Sequence, residues 1–209
     1  MRGSPGPHQD DDVIDPVLKR GLGQMMHGVQ VVAARHAGLT RAYTSHWVTQ
    51  VSFAEPIVMA SVSPRHDTFP LIEQSGRFTV SVLAGDQVAE GQYFSYPGRK
   101  FRYIADEFIV DWAHDDRVDP AVDRAIAWLA CDVEETKDLT DHRLFFARVT
   151  SVQGNRLRES PLTYSSRLGW RIASEKAREP GRSIRDELLE RLRASGVDVD
   201  DSEETDDDL

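Results

Sequence analysis

Two runs decide how this chain folds: "AIAWLACDVEETKDL", Ala125–Leu139, and "HRLFFARVTSVQG", His142–Gly154. Each is rich in aliphatic and aromatic residues, and only Thr140 and Asp141 separate them. Long, close-spaced runs of this kind read as an antiparallel strand pair. Working outward, "GVQVVAAR" (28–35) reads as a strand ending at an Ala37-Gly38 turn, and 39–51 is extended until Glu55-Pro56 breaks it. "IVMASVS" (57–63) and "RFTVSVL" (77–83) follow as strands, the second half-buried by its apolar–polar alternation, and "LTYSSRLGWRI" (162–172) is one last strand. That makes at least six strands. The helical signals between them are short: Pro16 to about Met26 behind an Asp15 cap, "FPLIEQS" behind Thr68 and closed by Gly76, and "DQVAEGQYF" opened by Asp86. Helices this few and short cannot supply repeated crossovers, so a doubly wound sheet is excluded and an antiparallel barrel with helical excursions is predicted. Residues 95–124 read as irregular.

The flanks differ in composition. Residues 1–13 read as a disordered leader without the apolar core of a signal peptide. The body runs over 14–172. A helical extension is expected over 173–197, where Ser183 and Asp186 make a capping-box-like pair and Ile184, Leu188 and Leu192 recur every four residues. Residues 198–209 read as a disordered acidic tail. The extension reads either as a helix folded back on the body or as a docking module for a second subunit or partner.

The net charge is −10, but eight acidic residues between Asp198 and Asp208 leave the rest of the chain at about −2. A body without cationic excess argues against nucleic acid as partner. No apolar run is long enough for a membrane span. The single cysteine, Cys131, reads as a small buried hydrophobe and fits a cytoplasmic location.

Polar clusters mark where chemistry is expected. "YTSHWVTQVSFAEP", Tyr43–Pro56, crowds hydroxyls, His46 and Trp47 into an extended segment. Burying such groups unpaired costs roughly 1–3 kcal/mol each, so they face something polar. "SVSPRHDTF", Ser61–Phe69, sets Arg65 and His66 before Thr68 at a helix start. That is either an anion site in outline or a plain cap with a solvated arginine. "SYPGRKF", Ser95–Phe101, adds Arg99 and Lys100. Neighbours on a strand point to opposite faces, so Ser45-His46 is no nucleophile pair, and the seven histidines, His27 and His114 read as surface among them, lack metal-ligand spacing.

Taken in order, "MHGVQVVAA", the run from Thr40 to Leu83, "PGRKF", "AWLACDVEETKDLTDHRLFFARV" and "PLTY" resemble the flavin reductase-like, FMN-binding split-barrel family over about residues 20–172. The resemblance implies a mainly β, Greek-key split barrel with short helices, usually a homodimer. It implies that Thr44, Ser45, His46 and Trp47 line the flavin ring, with Ser61 and Val62 continuing that wall. Arg65, Asp67 and Thr68 would hold the phosphate and ribityl chain, Arg99, Lys100 and Phe101 would close over them, and His142 would act where flavin and nicotinamide meet. Thr140 stands at a glycine of the family motif, and Trp170 where many members carry tyrosine. The implied activity is NAD(P)H-dependent reduction of FMN, or FAD, in the cytoplasm, with delivery to a partner monooxygenase. The other reading is a non-enzymatic FMN-carrying electron-transfer protein.

Overall fold

The computed structural model describes residues 15–95 and 108–172. The long pair is its spine. Two twelve-residue strands, β9 (Ala127–Asp138) and β10 (Arg143–Gly154), run antiparallel from Arg143↔Asp138 to Gly154↔Ala127. Register shifts between Phe146 and Ala147 and between Val149 and Ser151 let this ladder bend. Around it lie β2 (Gln30–His36), β3 (Leu39–Ser45), β4 (Val48–Gln50), β5 (Ile57–Val62) and β6 (Arg77–Val82). The seven form one antiparallel sheet in the order β3-β2-β6-β9-β10-β5-β4. The chain is mainly β, with the sheet curled into a half-barrel.

β2 and β3 join through Ala37-Gly38, where φ is +47° and +77°. Positive φ at both residues matches the twist of flanking strands, and glycine takes the second position without a Cβ penalty. In β2, Val31, Val32, Ala33 and Ala34 are all buried, which explains its unbroken apolar run. Val32 and Ala34 face a core with Tyr43, Val58, Val62, Ile72, Val80, Cys131 and Phe145. Val31 faces a second core with Val29, Leu83, Phe94, Val122 and Leu162. The burial of Cys131 pushes its thiol well above the usual range.

Helix α1 (Pro16–Leu22) starts where expected: Asp15 Oδ1 accepts from the N–H of Val17 and Leu18 at 2.7 and 3.0 Å. It stops at Leu22, four residues before Met26, with Gly23 as its C-cap. Helix α2 spans Phe69–Ser75, the expected residues, and Gly76 closes it at φ +67°. Thr68, however, is itself helical and buried, and its side chain makes no cap hydrogen bond. Helix α3 covers Val88–Ser95.

Four expectations are corrected. The stretch read as irregular contains a hairpin, β7 (Ile109–His114) and β8 (Arg117–Val122), that turns at Asp115, φ +47°. Its acidic turn and Pro120 mask the strand pattern. This hairpin covers β6, so "RFTVSVL" is buried on both faces. Thr79 Oγ1 donates to the Pro120 and Ala33 carbonyls, and Ser81 Oγ accepts from Val122 N at 2.9 Å. The hydroxyls look inward to neighbouring main chain instead of outward to water. The last strand is two, β11 (Leu162–Ser165) and β12 (Gly169–Ile172), paired through a turn in which Ser165 Oγ accepts from Leu168 N and Gly169 takes φ +68°. With β1 (His27–Gly28) they form a separate three-stranded sheet. Finally, His114 is buried, 3.0 Å from Asp119 Oδ2 and against Trp112.

The three-stranded sheet is locked to the barrel by main-chain bonds. Val29 N donates to Leu162 O, Leu162 N to Leu83 O, and Leu83 N to Val29 O, at 2.9–3.1 Å. The expected C-terminal helix and acidic tail lie outside the described residues.

Candidate functional site

The Thr44–Trp47 segment sits where β3 ends and β4 has not begun, so no strand ladder carries His46 or Trp47. Side chains fix it instead. Thr44 Oγ1 donates to the Gly91 carbonyl of α3 at 2.7 Å. Ser45 is buried and its Oγ accepts from Trp47 N at 3.1 Å. The His46 ring stacks on Tyr164, 4.2 Å between centroids and 11° from parallel, and meets Trp170 edge-on at 5.7 Å. Its Nδ1 is buried without a hydrogen-bond partner. Burial, with His27 close by, pushes the His46 imidazole down from 6.5 to about 4, so it is uncharged at neutral pH.

Trp47 turns outward, 51% exposed, with its carbonyl accepting from Ser61 N at 2.9 Å. Its ring lies edge-on to His142 at 5.0 Å. His142 arrives from the short turn between β9 and β10, and its Nδ1 lies 3.1 Å from Asp141 Oδ2. That contact holds the Asp141 carboxyl below the usual carboxylate range, with Arg65 adding to it. His66 stacks on Tyr43 at 4.3 Å, and burial and then His142 keep it below the ordinary histidine value.

One end of the sheet thus gathers Thr44, Ser45, His46, Trp47, Ser61 and His142, with the turn bearing Arg65 and Asp67 before α2. Two further predicted residues, like Ser45, have buried side chains. The Val62 side chain is wholly buried in the core, so only its main chain is available to a wall. Thr68 is buried as well. Arg99, Lys100 and Phe101 lie outside the described residues. A separate cavity of about 450 Å³ opens near the β2–β3 turn, lined by Arg35, His36, Gln74 and Arg77 among others, and none of the predicted residues lines it.

Reasoning from sequence missed Tyr164 as a neighbour of the site and the stacking of His66 on Tyr43. Tyr164 comes from the far end of the chain, and only the pairing of His27 with Tyr164 across β1 and β11 brings it near. Among the described residues no group of acidic, histidine or cysteine side chains could hold a metal ion.

Comparison with known proteins agrees with this architecture. The chain is 32% identical over 136 residues to the reductase component of 4-hydroxyphenylacetate 3-monooxygenase from Thermus thermophilus, which spans 65% of this chain and 83% of that protein. It is 28% identical over 146 residues to an NADH-dependent flavin reductase from a Rhodococcus species, covering 67% of this chain and 77% of the other. Among solved structures, the nitrilotriacetate monooxygenase component B homologue from Mycobacterium thermoresistibile superposes with a TM-score of 0.66 at 26% identity, covering 81% of this chain and 92% of that one. A family model described as "Flavin reductase like domain" matches residues 22–168, which takes in the whole sheet, the Thr44–Trp47 segment and the turn bearing His142, and the chain belongs to that family.

Proposed function

We propose that this protein is an NAD(P)H-dependent flavin reductase that binds FMN or FAD and passes reduced flavin to a partner monooxygenase. The observation that carries the reading is the convergence of Thr44–Trp47, Ser61 and His142 at one sheet end in a chain of this family. Two features fit a flavin. Trp47 offers half-exposed aromatic surface to a planar ring, and the strand break at His46 leaves its main chain outside either strand ladder. The buried, unpartnered Nδ1 of His46 marks the segment as one whose polar groups are not all satisfied internally.

When bound, the flavin supplies the ring that takes hydride from the nicotinamide. The protein's own work is placement and shielding. Trp47 covers a ring face and Ser61 fixes Trp47 through its main chain. Asp141 engages Nδ1 of His142, which favours the proton there and leaves Nε2 to hydrogen-bond the reactants or hold a proton. Arg65, on the turn before α2, acts through its charge on Asp141 and is assigned to the phosphate end on the family resemblance. Arg99, Lys100 and Phe101 are assigned to closure over it on the family resemblance alone. A cytoplasmic location accords with an unpaired thiol at Cys131; among the described residues no helix is long and apolar enough to cross a membrane.

We place a second copy of the chain against the β4 edge. Val51 and Phe53, in the segment that follows that edge strand, stand 47% and 103% exposed. Exposed aromatics at an unpaired edge are uncommon unless something covers them.

The test is oxidation of NADH and of NADPH by the purified protein with FMN or FAD. Turnover that requires both a nicotinamide and a flavin supports the reading. Tight FMN reduced only slowly by either nicotinamide points instead to an electron carrier, and no reaction and no bound flavin refutes both.

A further inference from the structure

We propose that Tyr164 and Trp170 are positioning residues for the flavin wall: from the β11–β12 hairpin they grip the His46 ring and so fix Thr44–Trp47 in the conformation that receives the flavin. This rests on the flavin reading above and assigns new roles to two residues at the other end of the chain.

Three rings close on one another. His46 stacks on Tyr164 at 4.2 Å, Trp170 meets His46 at 5.7 Å, and Tyr164 and Trp170 lie 5.4 Å apart. The wall segment needs such a grip. It spans the end of β3 and the break before β4, and among the described residues β3 is an edge strand with β2 as its only ladder partner. The hairpin that supplies the grip is itself anchored, because Leu162 is fully buried and exchanges main-chain bonds with Leu83 and Val29. Helix α3 completes the frame from the other side. Gly91 accepts the Thr44 hydroxyl, and a Cβ at Gly91 would meet Trp170 Cζ3 at 2.9 Å. The space for the indole therefore exists because residue 91 has no side chain. One glycine holds the wall residue Thr44 and seats the ring that packs on His46.

The grip depends on an uncharged imidazole. A proton on His46 would place charge against two rings with poor access to water, facing His27 on β1 and Tyr164 on β11 as the neighbouring titratable groups. Hydrating that charge means leaving the stack, which releases the wall.

The test uses W170A, G91A, W170F and H46Q in the full chain. Gly91→Ala touches no flavin contact, favours the helix, and still forces the indole to shift, so it carries the test should W170A fail to fold. In ligand-free protein, the NMR titration midpoint of His46 is expected to rise from about 4 toward 6.5 in W170A and G91A, and to stay near wild type in W170F. FMN affinity, followed by fluorescence quenching, is expected to stay level in the wild type until the pH nears that lower value. In W170A and G91A the drop moves up into the ordinary histidine range, with affinity there roughly tenfold below wild type, and in H46Q the step disappears. A His46 midpoint and an FMN pH profile unchanged in the folded variants would overturn the proposal while leaving the flavin reading intact. A wild type that binds no FMN or FAD at any pH removes both.

Discussion

His142 has one ring nitrogen engaged by Asp141 and sits edge-on to the exposed Trp47. On the function proposed above, its remaining nitrogen would meet a nicotinamide lying against the bound flavin. His142→Gln keeps hydrogen-bonding capacity but cannot hold a proton. We expect it to lower kcat/KM for reduced nicotinamide about a hundredfold while FMN affinity, measured separately, changes little. Unchanged kcat/KM would reduce His142 to a turn residue. At this scale the sequence was partly legible. Thr44–Trp47 stood out because hydroxyls, histidine and tryptophan are a poor set for a core strand; the structure keeps Thr44 and Ser45 in β3 and sets only His46 and Trp47 in a break of the sheet. The burial of Val62 and Thr68 gave no such signal, since it depends on which face of β5 and which side of the start of α2 the core claims. Tyr164 and Tyr43 gave no local signal, because their ring partners are supplied by tertiary pairing.

Among the elements, α2 shows what local chemistry alone can specify. Its bounds follow from Pro70 in the first turn and Gly76 in the left-handed closing position, where an added Cβ meets nothing within 4 Å. Gly76→Ala therefore isolates the backbone cost. It should destabilise the protein by about 1–2 kcal/mol in urea unfolding without altering flavin affinity. A neutral effect would mean that the closing turn relaxes freely. The β7–β8 hairpin shows the opposite case. Its acidic turn and Pro120 read as irregular, and it is held by long-range bonds from Thr79 and Ser81 that no local pattern announces. Likewise, the serine-rich turn at 165–168 reads as part of a strand until Ser165 is seen closing it. The long β9–β10 pair was legible because length, apolar content and a two-residue gap all agreed.

For the whole molecule, two histidines held neutral by burial couple folding to pH. His46 and His66 both lie below the ordinary value, chiefly through burial. Between pH 4 and 6.5 the unfolded chain binds protons at His46 that the native chain does not. Stability from this source is therefore complete above 6.5 and falls as the pH drops toward 4. The urea midpoint should fall on acidification through that window, and less steeply in H46Q. An identical slope in wild type and H46Q would mean that His46 titrates normally. The assembly is tested by Phe53→Asp, which puts a charge on the exposed segment that follows β4. Sedimentation should show a dimer for wild type and a monomer for the variant; a wild-type monomer, or a dimer indifferent to the change, would place the second copy elsewhere or nowhere.

The most direct measurement is anaerobic mixing of the protein and FMN with excess NADH or NADPH, followed by the visible absorbance of the flavin. Rapid bleaching that depends on the protein and is slowed by His142→Gln is the predicted result. Flavin that keeps its colour with both nicotinamides, or bleaches no faster than in buffer, would contradict a hydride-transfer site at Thr44–Trp47 and His142.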